Sequence, residues 1–379
     1  MTQTPNEGPR LLFFSGGTAL GETAHALSGL TRHAVHVVTP FDSGGSSAVL
    51  REAFDMPAVG DMRSRLLALA DCSHPGVDPL VRLLARRLPA NELETVLERT
   101  LRDLAQGRHA SLADLDEPGR DFVCGRLRVL LEHGNVRLTL AGASLGNLVL
   151  AGGFLASGRS FDTILHLFSE RIRALGVVRP SSSGCAHLAV RLRDGSVIAG
   201  QDRFTGKKGT PIGSPIAALW LTAARDSADP VRVPADPEVL RLVRQADLIC
   251  YPVGSFYSSV LANLLPEGMV EAVASSPCPK VFIPNVTPDP ELAGQSVADQ
   301  VEALRTVAEQ AGSRLESVLT TVLADTRTVY PGGVPDAHLA ALGVRVARLP
   351  FVRTGALSVD PVLLSRILVQ EAICWRTTA

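Results

Sequence analysis

Apolar stretches that end in glycine- and hydroxyl-rich loops recur along the chain and constrain its fold more than any other feature. A short apolar run precedes the loop Ser-Gly-Gly-Thr-Ala-Leu-Gly at 15–21, and residues 247–251 precede a similar loop at 252–259. Residues 34–38 lead into another such loop at 42–47. Apolar strands separated by helices are typical of a parallel sheet that is covered on both faces. The pattern predicts an α/β fold of three layers, with a mostly parallel, Rossmann-like sheet between helices.

The spacing of apolar residues divides the chain into three predicted parts of one intimate domain. Residues 10–180 form the first part of an α/β core, with a mainly helical segment at 60–133. Residues 181–235 form a small β-rich insertion, because residues 187–199 have the pattern of a hairpin that turns at Asp-Gly. Residues 236–379 complete the core and end in a predicted helix.

Composition excludes several classes of protein. The 379 residues carry a formal net charge of −1, whereas a nucleic-acid-binding surface normally brings a basic excess. The six cysteines are scattered without a C-x-x-C pair, which favours free thiols over a zinc site or a disulfide framework. The N-terminus lacks the basic start and apolar core of a signal peptide. We therefore expect a cytoplasmic protein with no nucleic-acid partner and no membrane partner.

One uncharged stretch, residues 138–158, has the apolar character of a membrane span. It also contains Gly142, Gly146, Asn147 and Gly152, which a helix facing lipid would not favour in such number. The stretch therefore predicts a buried helix that begins near Ser144.

The first loop (residues 15–21) and the fourth loop (residues 252–259) each join a strand to a helix-like run. Glycine lets the backbone approach a phosphate closely, and a helix N-terminus supplies N–H donors. The first loop has neither the GxGxxG nor the GxxxxGK[ST] spacing. Taken alone, each loop is as compatible with a tight turn as with a ligand site.

Acidic residues accompany the second loop (residues 42–47) and the third loop (residues 60–63). Asp42 stands beside two glycines and three serines, a composition that suits an oxyanion and a divalent cation. The same residues also suit a cap for the helix that follows. Considered alone, Asp61 is predicted to cap the helix that follows it. Considered with Asp42, it is a candidate for a second metal ligand or for a base. The recurrence of these loops predicts one phosphate-binding crevice.

Two of the three lysines of the chain, Lys207 and Lys208, lie in a glycine-rich segment at 205–210. The segment is typical of a solvated hairpin tip. A mobile flap that closes over phosphates is the alternative.

The loops, in this order, resemble the CofD-like 2-phospho-L-lactate transferase family, which includes the related gluconeogenesis factors. That family has a G-G-T-G first loop, then D-D-G-G-S-S, P-G-D-I-R and H-S-x-G-N-L. A block G-P-G-S-x-Y-T-S-x-x-P-N-L-L follows later, with an asparagine after the next strand. The corresponding blocks of this sequence lie at 16–19, 42–47, 59–63, 143–148 and 253–265, and then at Pro284 and Asn285. The similarity extends from about residue 11 to residue 290.

Three positions depart from the family pattern. Ala19 replaces the last glycine of the first loop, Ser43 replaces the second aspartate of the acidic loop, and Ala143 replaces the histidine. Asp42 is thereby the sole carboxylate of its loop. The loss of a carboxylate and a histidine could shift metal binding or substrate choice, or leave a protein that binds without turnover.

The resemblance implies transfer of a phospho-acyl-type group to an acceptor hydroxyl from a nucleoside-diphosphate-activated donor, which in the family is a guanosine-linked phospholactate. It implies Mg²⁺ as cofactor, with Asp42 and Asp61 as metal ligands and catalytic residues, and no NAD, zinc or haem. Catalysis of this kind rests on positioning and charge neutralisation. The expected nucleotide- and substrate-binding residues are Gly16, Gly17, Thr18, Ser43, Gly44, Gly45, Ser46, Ser47, Arg63, Ser144, Asn147, Gly254, Ser255, Tyr257 and Asn285.

A second interpretation uses the same crevice for sensing. The chain would then be a non-catalytic, nucleotide-sugar-binding regulator like the gluconeogenesis factors, and Ser43 and Ala143 are the residues that favour it. An NAD-binding oxidoreductase is a third interpretation, which the missing dinucleotide spacing of the first loop disfavours. In the transferase and sensor interpretations, the partner is a nucleoside-diphosphate-linked small molecule. A homodimer is compatible with the sequence.

Overall fold

A seven-stranded parallel sheet forms the centre of the protein in a computed structural model, which describes residues 4–133, 138–206, 211–355 and 358–378. Its strands are Leu11–Ser15 (β1), Val35–Val38 (β2), Val177–Pro180 (β3), Leu248–Tyr251 (β7), Lys280–Phe282 (β8), Thr321–Asp325 (β9) and Arg345–Leu349 (β10). They lie in the order β10-β9-β8-β7-β1-β2-β3, and neighbouring strands pair in parallel. The predicted α/β class with a mostly parallel, Rossmann-like sheet is confirmed.

Helices cover both faces of the sheet because the central strands are apolar on both sides. Successive side chains of a strand point to opposite faces. In β1, Leu12 and Phe14 belong to one core cluster, whereas Leu11 and Phe13 belong to another, and all four are fully buried. The helices before the small insertion are Gly21–Ser28 (α1), Gly45–Phe54 (α2), Gly60–Ala68 (α3), Val77–Ala85 (α4), Glu94–Ala105 (α5), Glu117–Glu132 (α6), Leu145–Ala156 (α7) and Phe161–Arg171 (α8). The later helices are Gln201–Phe204 (α9), Pro237–Arg244 (α10), Met269–Ser275 (α11), Val297–Gln310 (α12), Leu315–Val318 (α13), Asp336–Ala341 (α14) and Pro361–Thr378 (α15).

The helical segment predicted at 60–133 forms its own core with the two helices that follow it. Helix α7 packs closely against α6, α4 and α8, and its residues from Leu145 to Phe154 are buried. This core also includes Val38 of β2 and Val178 of β3, which joins the helical segment to the edge of the sheet. The segment thereby supports the side of the sheet on which the second and third loops lie.

A small antiparallel sheet forms the predicted β-rich insertion. Its strands are His187–Leu192 (β4), Val197–Ala199 (β5) and Ile216–Thr222 (β6), in the order β5-β4-β6. The β4–β5 hairpin turns at Asp194 and Gly195, and Gly195 has φ 91°, a conformation that glycine adopts without strain. Residues 207–210 of the segment predicted as a tip or flap lie outside the described residues. The predicted boundaries at 180/181 and 235/236 remain predictions.

The secondary structure departs from the sequence prediction in four places. Strands β3 and β6 were not predicted, because neither combines a turn signal with an alternating apolar pattern. The apolar residues 318–323 predict a strand, but the strand is Thr321–Asp325, because residues Leu315–Val318 form a short helix before it. The helix-like run after β7 is a π-helix at Phe256–Val260 and a 3₁₀-helix at Leu261–Leu264.

The uncharged stretch at 138–158 contains a buried helix, as predicted. Helix α7 spans only 12 residues, and its N-cap is Ser144. In the described part of the chain, no helix is both long enough and apolar enough to cross a membrane.

The contact between α6 and α7 makes a prediction about stability. A methyl group at the Cβ position of Gly152 would lie 1.9 Å from the carbonyl oxygen of Arg126, so Gly152→Ala must push the two helices apart. We expect a loss of about 1–3 kcal/mol in unfolding free energy, measured by urea denaturation. Gly125→Ala is the matched control, because a methyl group there meets no atom within 4 Å. The control should stabilise the protein by up to about 1 kcal/mol, and equal effects of the two variants would contradict the packing.

A buried histidine in β2 makes the stability of the sheet depend on pH. His36 is fully buried and stacks on Phe13, with the ring centroids 5.1 Å apart. Burial, and after it the charge of Arg65, holds the pKa of His36 well below its usual range. The folded protein therefore keeps this ring neutral, while the unfolded chain takes up a proton as the pH falls below about 6.5.

We expect the unfolding free energy to fall as the pH drops below about 6.5, and His36→Phe to reduce that dependence because phenylalanine cannot bind the proton. Urea titrations at several pH values between 7.5 and 5 measure the slope. Phe13→Leu is the control, since it weakens the same stack but keeps the histidine, and its slope should equal that of the unmodified protein. An unchanged slope in His36→Phe would show that other groups cause the acid sensitivity.

Candidate functional site

The carboxyl ends of β1 and β7 adjoin at the centre of the sheet, where the strand order changes direction. From β1 the sheet continues through β2 and β3, and from β7 it continues through β8, β9 and β10. A crevice forms at such a switch point because the loops that follow the two strands leave in opposite directions. The first loop follows β1 and the fourth loop follows β7, so the two loops flank this crevice.

A cavity of about 530 Å³ lies between the first and fourth loops. Thr18 and Ala19 line it from the first loop, and Gly254 and Ser255 line it from the fourth. A methyl group at Gly254 would lie 3.6 Å from Cβ of Ala19, so the two loops approach within van der Waals contact. The other lining residues are Glu22, Thr23, Val253, Asn285, Val286, Thr287, Pro288, Asp289, Pro290, Arg353, Ser358 and Val359.

The first loop also packs tightly against Asp61, near the start of α3. A methyl group at Gly17 would lie 2.6 Å from Oδ1 of Asp61 and 2.7 Å from its Cα. At Gly16 it would lie 2.7 Å from Oγ of Ser259, in the fourth loop. Since real Cβ atoms do not approach other atoms this closely, the contacts require glycine at both positions. The first loop is thereby held between the third and fourth loops.

The second loop wraps around the carboxylate of Asp42. Its Oδ1 accepts a hydrogen bond of 3.1 Å from the backbone N–H of Gly44, and its backbone carbonyl accepts one of 2.9 Å from Arg51. Helix α2 begins directly afterwards, at Gly45, where a methyl group would meet no atom within 4 Å. The N-cap of α2 is Gly44 and no side chain caps the helix, so the capping role expected for this loop is wrong. Helix α3 has Val59 as its N-cap, so the cap expected at Asp61 is wrong as well.

Side chains of the second loop connect it to the third loop and to α7. Ser47 accepts a hydrogen bond of 3.0 Å from the backbone N–H of Gly60, and Ser46 accepts one of 3.0 Å from Asn147. A methyl group at Gly60 would lie 3.9 Å from Oδ2 of Asp42. The carboxylate of Asp42 is therefore close to the backbone that carries Asp61, as the sequence predicts.

Arg63, from α3, and Ser144, the N-cap of α7, are almost fully buried against each other. Ser144 is 0% exposed, and its hydroxyl accepts a hydrogen bond from Arg63. Burial, and after it the charge of Arg87, lowers the pKa of Arg63 to about 10, which leaves the side chain charged at neutral pH. In this arrangement Ser144 orients the guanidinium, and its burial keeps it from direct contact with a ligand in the cavity.

The hydroxyl of Tyr257 points away from the crevice. It bonds to the side chain of Gln295 at 2.9 Å and to the backbone carbonyl of Ile216 at 3.2 Å, and the residue is 2% exposed. Asn285, in contrast, lines the cavity and bonds the backbone of Gly254 in both directions at 2.7 Å. Of the two, only Asn285 is placed where a ligand in the cavity would meet it.

Two carboxylates that the sequence analysis did not select hold the start of the π-helix. Asp289 accepts the N–H of Phe256, and Glu291, which is 0% exposed, accepts those of Tyr257 and Ser258. These N–H groups of the fourth loop therefore already have anionic partners within the chain. In the sequence, the segment Asp-Pro-Glu at 289–291, soon after Asn285, could have indicated that two carboxylates lie near the fourth loop.

Ser43, where the family pattern has aspartate, contacts a carboxylate of the insertion. Its hydroxyl donates to Oδ1 of Asp202 at 2.9 Å, and Asp202 forms an ion pair of 2.5 Å with Arg225. Burial raises the pKa of Asp202, but hydrogen bonds from Arg225 and Ser43 outweigh burial and bring it below its usual value. The insertion thus places a charged carboxylate beside the second loop and neutralises it with its own arginine.

The carboxylate oxygens of the second and third loops suit a hard cation that is bound jointly by the protein and a phosphate. They are too few to hold a cation by protein ligands alone. Among the described residues, no group of three or more histidine, cysteine or acidic side chains is placed to hold a metal ion. Mg²⁺ usually binds through one or two carboxylates together with substrate phosphates and water. Asp42 and Asp61 are the carboxylates of the second and third loops that would supply such ligands.

Comparisons with known proteins show the family and agree with the fold. A family model described as 2-phospho-L-lactate transferase CofD matches residues 11–340. The gluconeogenesis factor of Bacillus subtilis (strain 168) is 30% identical over 297 residues, which cover 78% of this chain and 74% of that protein. The corresponding factor of Halalkalibacterium halodurans is 31% identical over 297 residues, covering 78% and 72%. A crystal structure of a UPF0052 family member from Bacillus halodurans, 25% identical, covers 96% of this chain and 99% of that chain with a TM-score of 0.72.

Proposed function

Because the chain belongs to the 2-phospho-L-lactate transferase CofD family, we propose that its switch-point crevice binds a nucleoside diphosphate linked to a small molecule. The role that we favour is a metabolic regulator that senses a nucleotide sugar without consuming it. One observation carries the proposal: the first loop packs between the fourth loop and Asp61, and its residues Thr18 and Ala19 line the same cavity as Gly254 and Ser255.

The dimensions and polarity of the crevice support a ligand of this class. Pockets for small molecules and cofactors span roughly 300–1,000 Å³ and place a few polar groups in a fixed arrangement. The cavity of about 530 Å³ lies in that range, and Thr18, Ser255 and Asn285 offer hydrogen-bonding groups along its wall. In the proposal the diphosphate lies against Thr18 and Ala19, the exposed residues of the first loop, and the nucleoside extends into the cavity.

Two observations favour sensing over turnover. The position of the second family aspartate is Ser43, whose hydroxyl is engaged by Asp202, and Asp202 is in turn neutralised by Arg225. A catalytic carboxylate needs to reach the reacting group or a metal ion, and neither Ser43 nor Asp202 is arranged to do so. The two relatives named above are also called gluconeogenesis factors, a name that describes a metabolic role.

Isothermal titration calorimetry of the full chain with UDP-glucose, GDP and NAD, each with and without Mg²⁺, tests this function. We expect binding of UDP-glucose or GDP, since both carry the diphosphate that the loops would hold, and UDP-glucose recovered intact after incubation. Tighter binding of NAD than of both other ligands would reject the proposal. Binding of none of the three would reject it as well.

A transferase is the second candidate, and Asp42 and Asp61 are the residues that favour it. Both carboxylates of the family motifs are retained, Asp61 against the first loop and Asp42 near Gly60, the residue before Asp61. If the acceptor hydroxyl attacks the outer phosphorus, the bond to the inner phosphate breaks and a nucleoside monophosphate leaves. Asp61 would take the proton of that hydroxyl, and Mg²⁺ bound by Asp42 and Asp61 would neutralise the diphosphate. Mg²⁺-dependent release of the monophosphate from a donor would establish this candidate over the sensor.

Asp42→Asn tests the metal assignment in either candidate. Asparagine keeps the shape of the side chain but loses the charge that attracts the cation, so the gain in nucleotide affinity on adding Mg²⁺ should largely disappear. Calorimetry in the presence and absence of Mg²⁺ measures that gain. Asp114→Asn, at an exposed position, is the control and should retain it. The same gain in both variants would remove Asp42 from the metal site.

A further inference from the structure

A buried arginine lies directly behind the first loop, and neither the family motifs nor the proposed ligand contacts include it. Arg65 projects from α3 one helical turn after Asp61 and is 0% exposed. Its Nη2 donates a hydrogen bond of 2.7 Å to the backbone carbonyl of Gly16. A side chain this deeply buried cannot touch a ligand, so any effect on binding has to act through the loop.

The charge of Arg65 persists despite its burial. Burial lowers the pKa of the guanidinium to about 10, and the carboxylate of Asp61 opposes that change, so the group is protonated at neutral pH. Its Nε and Nη1 have no hydrogen-bond partner among the described residues. Burying such a group is costly unless something compensates for the lost water. Some interaction has to offset this cost, and the hydrogen bond to the carbonyl of Gly16 is the one that the structure shows.

The geometry of the peptide bond links Arg65 to the crevice. The carbonyl of Gly16 and the N–H of Gly17 belong to the same peptide unit, and in a planar trans unit they point in opposite directions. The structure contains no cis peptide among its described residues. Because Arg65 draws the carbonyl of Gly16 inward, the N–H of Gly17 points away from the buried guanidinium. The hydrogen bond therefore fixes this peptide unit at the base of the first loop, directly before Thr18 and Ala19, which line the cavity.

We propose that Arg65 is a positioning residue for the first loop: it fixes the Gly16–Gly17 peptide and thereby places Thr18 and Ala19, the exposed loop residues that line the cavity. The inference rests on the proposed function and adds that this loop recognises the diphosphate rather than the nucleoside. The carboxylate of Asp61 lies against the same loop and opposes the charge of Arg65, so the effect acts through the placement of the loop. It should therefore be shared by every ligand whose phosphates contact Thr18 and Ala19.

Three variants test this inference by calorimetry with UDP-glucose, GDP and inorganic pyrophosphate, together with thermal unfolding. Arg65→Met removes the charge and the hydrogen bond at similar volume, and should weaken binding of all three probes by about 10- to 100-fold. Arg65→Lys keeps the charge and should recover part of that loss. Arg126→Met is the control, because Arg126 is a partly buried arginine that lies over Phe122, 4.1 Å from the ring centroid, away from the crevice. The control should bind as the unmodified protein does.

The outcomes separate the two proposals. A loss of affinity in Arg65→Met with an unchanged Tm, and partial recovery in Arg65→Lys, supports the positioning role. Equal affinities of Arg65→Met and the unmodified protein overturn it while leaving the proposed function intact. A loss that occurs only together with a collapse of Tm, without recovery by lysine, assigns Arg65 to folding alone and also overturns it. If the unmodified protein binds neither nucleotide nor pyrophosphate, the proposed function and this inference are both rejected.

Discussion

The contact between the loops that follow β1 and β7 is the constraint on which the rest of the site depends. These two strands are neighbours in the sheet, and their parallel register brings Phe13 opposite Cys250. The chain leaves the two strands toward opposite sides, so the loops open a crevice rather than closing over it. Glycine at positions 16 and 17 then allows Asp61 and Ser259 to approach the loop from both sides. A larger residue at position 17 would push the loop away from Asp61 in α3, and one at position 16 would push it away from Ser259 in the fourth loop.

Much of the fold was accessible from the sequence because its strongest signals are local. The apolar runs at β1, β2 and β7 and the Asp-Gly hairpin of the insertion each identify themselves within a few residues. The strands β3 and β6 carry no such signal, since their place is fixed by pairing with β2 and β4. The fold class could therefore be predicted, whereas the edge of the sheet and the third strand of the insertion could not.

The site was predictable to the extent that it depends on the backbone. The sequence identified the loops and the neighbourhood of Asp42 and Asp61, and the structure brings them together. It gave no indication that Tyr257 turns toward Gln295, or that Asp289 and Glu291 hold the N–H groups of the fourth loop. These contacts join residues more than 30 positions apart, and no local pattern distinguishes them from a loop that is open to a ligand. The role of Arg65 behind the first loop was hidden for the same reason.

The central claim is that a diphosphate lies at the first loop, beside Asp42 and Asp61. A crystal structure of the full chain grown with GDP and Mg²⁺ tests it most directly. The account predicts phosphate oxygens within hydrogen-bonding distance of the backbone N–H groups of Thr18 and Ala19, the nucleoside in the cavity lined by Ser255 and Asn285, and Mg²⁺ between the phosphates and the two carboxylates. Nucleotide bound elsewhere, for example in the groove between α5 and α6 lined by Arg102 and Arg128, would contradict it.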